Sequence, residues 1–277
     1  MNITLFDYTK ICDKITNMNM EERNILLKIA YDGTDFCGWQ RQRENRTVCG
    51  TLEEALSYVC GQDIKLDGTS RTDAGVHAYG QQASFKLVSG IPTERIAKAV
   101  NDSLAKSRLE RVGEIEVVWA KEMPEDFHAR FSSRGKRYVY KISNAPGVDI
   151  FRRNYCYQIT RPLDLDAMKK AASLIVGEHD FACFQAAGST PRETTVRTVY
   201  DLEISRLGDD IEISISGNGF LYNMVRIIVG TLVEVGLGKR SPESVAETIA
   251  SLDRSKAGHT APPQGLYLKE VFYDQDL

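Results

Sequence analysis

The sequence predicts an α+β fold: two ferredoxin-like βαββαβ halves forming a mostly antiparallel sheet, with helices on one side and a central catalytic cleft. Three observations predict it. Segments of alternating apolar residues and segments of helical spacing follow one another in the order β-α-β-β-α-β. That order then occurs a second time. The chain, at 277 residues, 42% hydrophobic and 26% charged, has the composition of a globular protein with a sizeable core.

The elements can be justified in turn. Residues 24–31 (Asn-Ile-Leu-Leu-Lys-Ile-Ala-Tyr) read as a strand that stops at Asp32-Gly33. Residues 48–60 place Leu52, Leu56, Val59 and Cys60 on one helical face. Thr51 and Glu54 have capping-box spacing, but Thr47 is the better-placed cap. Strands are predicted over 63–69 and 79–87, a helix over 93–105 behind Pro92, and a strand over 112–120. The second round has a strand over 135–143, a helix over 164–176, and strands over 196–206 and 210–216 around a turn at Gly208-Asp209. A helix over 220–236, another after Pro242 and a strand over 266–273 complete it. The division predicted is an N-terminal extension (1–23), a first half (24–122) and a second half (123–277). A site is expected at their junction.

Composition narrows the function. A net charge of −3 argues against indiscriminate nucleic-acid binding and leaves room for a local basic groove. Basic residues cluster at Arg41, Arg43 and Arg46, at Arg130, Arg134, Lys136, Arg137 and Lys141, and at Arg152 and Arg153. The six cysteines (12, 37, 49, 60, 156 and 183) form no C-x-x-C pair and follow no secretory leader, so reduced thiols and a cytoplasmic location are expected. No run is long and apolar enough to span a membrane.

The most informative stretch is 68–81, Gly-Thr-Ser-Arg-Thr-Asp-Ala-Gly-Val-His-Ala-Tyr-Gly-Gln. Arg71 and Asp73 lie among small, turn-favouring residues between two strand-like segments. Gly68 and Gly75 let the backbone bend and a ligand approach. Taken alone, the loop also reads as a turn capped by a surface arginine. A second feature bears on it. The helix over 220–236 is apolar almost all round yet carries Arg226. A guanidinium stays charged and needs a partner. Either Arg226 snorkels to the surface, or it faces the cleft and pairs with Asp73, fixing that carboxylate's direction and favouring its ionised form.

Residues 127–131, Phe-His-Ala-Arg-Phe, interleave aromatic and basic side chains in a way that suits stacked bases beside phosphates. Tyr138 offers a ring and a hydroxyl on the following strand, on the same face as Tyr140, where core packing is the other reading. Residues 187–193 read as an exposed loop able to reach a ligand. The histidines at 77, 128, 179 and 259 have no metal-ligand spacing, and no P-loop, dinucleotide fingerprint or nucleophile elbow is present. An ionised aspartate acting without a cofactor or metal is the best chemical candidate. Rival readings are an RNA-binding protein without catalysis and a metal-dependent phosphodiesterase built on Asp32, Asp35 and Asp73.

Five blocks, in order, carry a resemblance over residues 24–273. They are Tyr31-Asp32-Gly33 with Gly38-Trp39-Gln40-Arg41-Gln42; Arg71-Thr72-Asp73-Ala74-Gly75-Val76-His77; Asp126-Phe127-His128-Ala129-Arg130-Phe131; Met224-Val225-Arg226 with Ile228-Val229-Gly230; and Pro262-Pro263 with Gly265-Leu266-Tyr267-Leu268. The chain resembles the bacterial tRNA pseudouridine(38–40) synthase family. The resemblance implies a cofactor-free isomerase that converts uridine to pseudouridine at positions 38, 39 and 40 of the tRNA anticodon arm. By the same resemblance Asp73 is the nucleophile, Arg226 its basic partner and Tyr138 a contact to the target uridine. The resemblance also implies that Arg71, residues 127–131 (Phe127, His128, Ala129, Arg130 and Phe131) and the loop Gly188, Ser189, Thr190, Pro191 and Arg192 contact tRNA, and that the protein is a homodimer. Thr69-Ser70 stands where the family often has smaller residues, residues 186–193 match least well, and residues 1–23 have no counterpart.

Overall fold

The computed structural model describes residues 21–107, 112–188 and 194–274. Residues 1–20 of the predicted extension (1–23) and the predicted contacts Ser189, Thr190, Pro191 and Arg192 lie outside the described residues. Ten strands form one sheet: β1 (Arg23–Tyr31), β2 (Asp67–Gly68), β3 (His77–Leu87), β4 (Ile115–Met123), β5 (Gly135–Ser143), β6 (Tyr157–Gln158), β7 (Gly177–Asp180), β8 (Val196–Leu207), β9 (Asp210–Gly217) and β10 (Leu266–Phe272). The helices are α1 (Val48–Cys60), α2 (Thr93–Ser107), α3 (Leu165–Ser173), α4 (Met224–Gly236) and α5 (Ser244–Ser251).

The sheet order is β4-β1-β3-β10-β5-β9-β8-β7, with β2 added to β3 and β6 to β5. Over residues 23–123 the order β4-β1-β3-β2 is antiparallel throughout. Over residues 135–272 the order β10-β5-β9-β8 repeats it. Both have the strand order 4-1-3-2 of a ferredoxin-like unit. They join where β10 runs parallel to β3, with Tyr267 opposite His77 and Leu268 opposite Ala78. That short ladder lies directly behind the loop that carries Asp73.

Alternation explains which face is covered. Ile25, Leu27 and Ile29 of β1, Tyr138, Tyr140 and Ile142 of β5, and Ile211, Ile213 and Ile215 of β9 share one core with Leu52, Ile96, Met168, Ile228 and Val245 from the five helices. Each such side chain contributes about 1.5–3 kcal/mol on burial.

Local chemistry sets the boundaries. Thr47 caps α1, its hydroxyl accepting from the Gly50 amide, and Gly61 closes the helix in a left-handed conformation. Asp164 caps α3 by accepting from the Ala167 amide. The strand predicted over 63–69 shrinks to β2 because side chains of α1 take its amides. Ser57 accepts from Ile64 N–H at 2.9 Å, and the Glu53 carboxylate accepts from Leu66 N–H at 2.9 Å. The helix predicted to begin at 220 begins at Met224 because Asn223 has φ 59° and ψ 7°. The short strands β6 and β7 are too brief to leave a periodic signal.

Candidate active site

The loop over 69–76 is fixed on all sides. Buried Gln81 of β3 clamps Ser70 at both backbone groups, donating to its carbonyl at 2.6 Å and accepting from its amide at 3.3 Å. The Thr72 hydroxyl meets the Tyr31 hydroxyl at 2.7 Å, and the Thr72 carbonyl accepts from Trp39 N–H. The turn closes through Val76 N–H to Asp73 O at 3.2 Å, with Gly75 at φ 77°. The backbone of Asp73 is therefore held before any ligand arrives.

Arg226 comes to this loop from α4. Its Nη1 donates to Asp73 Oδ2 at 3.2 Å and to Asn223 Oδ1 at 2.8 Å, and its Nε donates to the Ala261 carbonyl at 2.7 Å. The two partners are 153 residues apart in sequence. Arg226 does not snorkel, since its side chain is 15% exposed and that of Asp73 24%. The segment behind it is held close to α4. The Ala261 amide donates to the Arg226 carbonyl, and a Cβ on Gly230 would lie 1.8 Å from the His259 carbonyl oxygen.

Burial opposes the ionised form of Asp73, and the Arg226 guanidinium favours it, as expected. Burial raises the Asp73 pKa above the ordinary carboxylate value, and the guanidinium, which pulls it down, offsets this only in part. The site holds its carboxylate in a poorly solvated position, where it is more basic than a surface aspartate.

Tyr138 stands on β5 at the floor of the cleft. Its hydroxyl meets the Ser70 hydroxyl at 2.8 Å, and its ring lies edge-on to Phe220 at 5.4 Å. Burial pushes its phenol up to about 12, so it stays protonated at neutral pH. Arg71 and Lys136 also line the cleft. Arg71 is exposed and makes no hydrogen bond or ion pair with the described residues, while Lys136 donates to the Thr69 carbonyl at 3.2 Å. Lys136, Phe220 and Asn223 are cleft residues that sequence reasoning did not assign. Lys136 was legible only as one charge in a run. Asn223 was legible only as a small residue on the Arg226 side of the helix, leaving room there.

The segment 127–131 divides by environment. Phe127 packs on Tyr273, and its carbonyl accepts from Asn24. Buried Ala129 donates to Ser84 Oγ and accepts from the Thr69 and Tyr273 hydroxyls, which docks the segment against the start of the Asp73 loop. Phe131 is 76% exposed, with Arg130 over its ring and His128 at 4.4 Å. So Phe127 and Ala129 anchor, while Arg130 and Phe131 face outward. Gly188 is exposed in a turn at φ 79°. Asp32, invoked for a metal centre, is turned elsewhere. Although partly buried, it is held well below the usual carboxylate range by hydrogen bonds from His77, Thr34 and Tyr155.

A ten-stranded, mostly antiparallel sheet of two repeated units brings an aspartate and an arginine together in a cleft, and comparison with known proteins places this arrangement in a class of RNA-modifying enzyme. The family model described as tRNA pseudouridine synthase matches residues 28–132 and 171–274. Among curated relatives, a tRNA pseudouridine synthase A of Thermoanaerobacter sp. (strain X514) is 49% identical over 251 residues, covering 91% of this chain and all of the relative. One from Brevibacillus brevis is 49% identical over 245 residues, covering 88% and 97%. A tRNA pseudouridine synthase A 2 from Clostridium tetani is 44% identical over 254 residues, covering 91% and 99%. The chain belongs to the tRNA pseudouridine synthase family, and is an isomerase acting on uridine in tRNA.

Proposed function

We propose that this isomerase converts uridine to pseudouridine at positions 38, 39 and 40 of the anticodon arm, with Asp73 as nucleophile. The observation that carries the proposal is the pairing of Asp73 with Arg226 inside a cleft that also holds Tyr138. An enzyme that acts on a base takes it out of the stack. The uridine enters the cleft against Tyr138. The Asp73 carboxylate attacks either C1′ of the ribose or the uracil ring, or it draws a proton from the sugar to give a glycal. The bond from C1′ to N1 breaks, the detached uracil turns and C5 bonds to C1′; the Asp73 carboxylate is released from the carbon it attacked, or returns the sugar proton on the glycal route, and the proton lost from C5 is matched by one gained at N1. Reactant and product have the same atoms, so no redox partner enters the balance.

Arg71, Arg130 and Phe131, with the loop 188–192, are proposed to contact tRNA. Their exposed cations and ring suit phosphates and unstacked bases. Residues 24–122 and 123–277 are taken as the two halves, with 1–23 as an extension. A homodimer acting in the cytoplasm completes the reading. The sheet face opposite the helices offers Tyr79 between Lys141 and Lys269, and beyond it exposed Ile150, Phe151 and Tyr155. No helix among the described residues is long and apolar enough to cross a membrane.

Carbodiimide labelling of tRNA after incubation with the wild-type protein and with Asp73→Ala tests the proposal. Labelling at 38–40 by the wild type alone is expected. Turnover by Asp73→Ala within tenfold of wild type would remove the nucleophile, and labelling elsewhere in the tRNA would remove the position.

A further inference from the structure

We propose that Asn223 reads the target base, its amide nitrogen donating a hydrogen bond to a carbonyl oxygen of the uracil in the cleft. The inference rests on the function proposed above and adds a residue to it. It begins with the backbone. Among the described residues only Asn223 and Leu252 have positive φ without being glycine. Leu252 ends α5. Asn223 stands just before α4, yet its side chain makes no capping hydrogen bond. Asparagine tolerates this region better than most residues, but the conformation still carries a cost that marks functional positions.

What the turn achieves is an orientation. Asn223 Oδ1 accepts from Arg226 Nη1 at 2.8 Å, and the same nitrogen reaches Asp73 Oδ2 at 3.2 Å. The amide is therefore set beside the carboxylate, through one shared guanidinium nitrogen. Because Arg226 only donates, the atom facing it must be the oxygen, and this fixes the amide's other end as NH₂. That NH₂ has no hydrogen-bond partner among the described residues, it is not among the buried unsatisfied atoms, and Asn223 lines the cleft. Neighbouring polar groups on the wall are already engaged: Ser70 with Tyr138, Thr72 with Tyr31 and Lys136 with Thr69. An open donor with a fixed direction, beside the reacting carboxylate, fits the acceptors O2 and O4 of uracil. The exocyclic amino group of cytosine would meet it donor to donor.

The test uses tRNA transcripts carrying uridine, 2-thiouridine or 4-thiouridine at the target position, with wild type, Asn223→Gly and Asn223→Asp. Gly keeps the left-handed backbone without strain. Asp keeps the acceptor for Arg226 and loses the donor. Sulfur accepts poorly, so the wild type is expected to slow about tenfold on one of the two thio substrates, the value of one hydrogen bond. Both variants are expected to slow about 10- to 100-fold on uridine, while that thio penalty shrinks below about threefold. The substrate whose penalty disappears identifies the oxygen. Circular dichroism and melting confirm that the variants are folded. If the wild type treats all three substrates alike, if Asn223→Asp keeps the wild-type rate, or if both variants slow while the thio penalty is unchanged, the base contact is overturned; in the last case Asn223 acts only through Arg226. A wild-type protein that forms no pseudouridine on ordinary tRNA would sink the functional proposal itself, before any variant is made.

Discussion

Replacing Arg226 by methionine separates two things the guanidinium does, aiming Asp73 and lowering its pKa. In the structure the charges approach to 3.2 Å in a partly shielded cleft. At an effective dielectric constant of about 20, unit charges about 4 Å apart attract by about 4 kcal/mol. Residual solvent exposure of both groups reduces this, and a carboxylate beside an arginine is usually lowered by about one to three pH units. Burial already raises Asp73, and in Arg226→Met that effect is unopposed. In the proposed mechanism the reactive form is the carboxylate, so activity should fall as pH drops through the Asp73 pKa. The acid limb of the rate profile should therefore move up by about one to three pH units in the variant. The plateau rate should fall as well, because the side chain that orients the carboxylate is gone. Methionine suits a mostly apolar helix, and the fold should survive, although the Ala261 carbonyl and Asn223 amide lose their donor. Single-turnover pseudouridine formation from pH 5 to 9, followed by carbodiimide labelling, measures both effects. An Arg226→Met protein that is folded, fully active at pH 7 and unshifted in its acid limb would refute the reasoning.

Asp73→Asn should be inactive yet more stable than wild type at neutral pH. A carboxylate whose folded pKa is raised contributes stability at low pH that is lost as pH rises through that value, so the melting-temperature gain should shrink on acidification, and a gain independent of pH would contradict it. Gly230→Ala puts a Cβ 1.8 Å from the His259 oxygen and should destabilise by about 1–3 kcal/mol or more while displacing Ala261 from Arg226, read as a lower melting temperature and lost turnover. Phe131→Ala, at an exposed ring, should leave the melting temperature unchanged and weaken tRNA binding by about 1–3 kcal/mol in a filter-binding or anisotropy titration.

Much of the fold was legible because its signals are local and agree with one another. Thr47 and Gly61 bracket α1 at the predicted ends, and Ile211, Ile213 and Ile215, alternating with polar residues, mark the buried face of β9. The pairing of Arg226 with Asp73 was also legible, since a charge on an apolar helix demands a partner. What was not legible depends on long-range contacts. Residues 63–66 look like strand, but amides satisfied by Ser57 and Glu53 cannot be foreseen from spacing. The net pKa of Asp73 depends on how completely the walls exclude water, which a motif does not state. Phe127 and Ala129 belong to the same five-residue block as Phe131, yet Asn24, Ser84 and Tyr273 decide which of them face inward.

The position of β10 has a consequence for how the protein is made. It lies between β3 and β5 at the centre of the sheet, and it is synthesised after both. Until it docks, two strands keep open edges, the kind of surface that pairs wrongly or aggregates. The segment leading into it supplies the Ala261 carbonyl that holds Arg226. A nascent chain that has completed both α4 and the Asp73 loop therefore still lacks the brace between them. Assembly of the sheet and bracing of Arg226 beside Asp73 become a single late event, so a partly made chain shows the outward-facing Arg130 and Phe131 before the cleft behind them is complete.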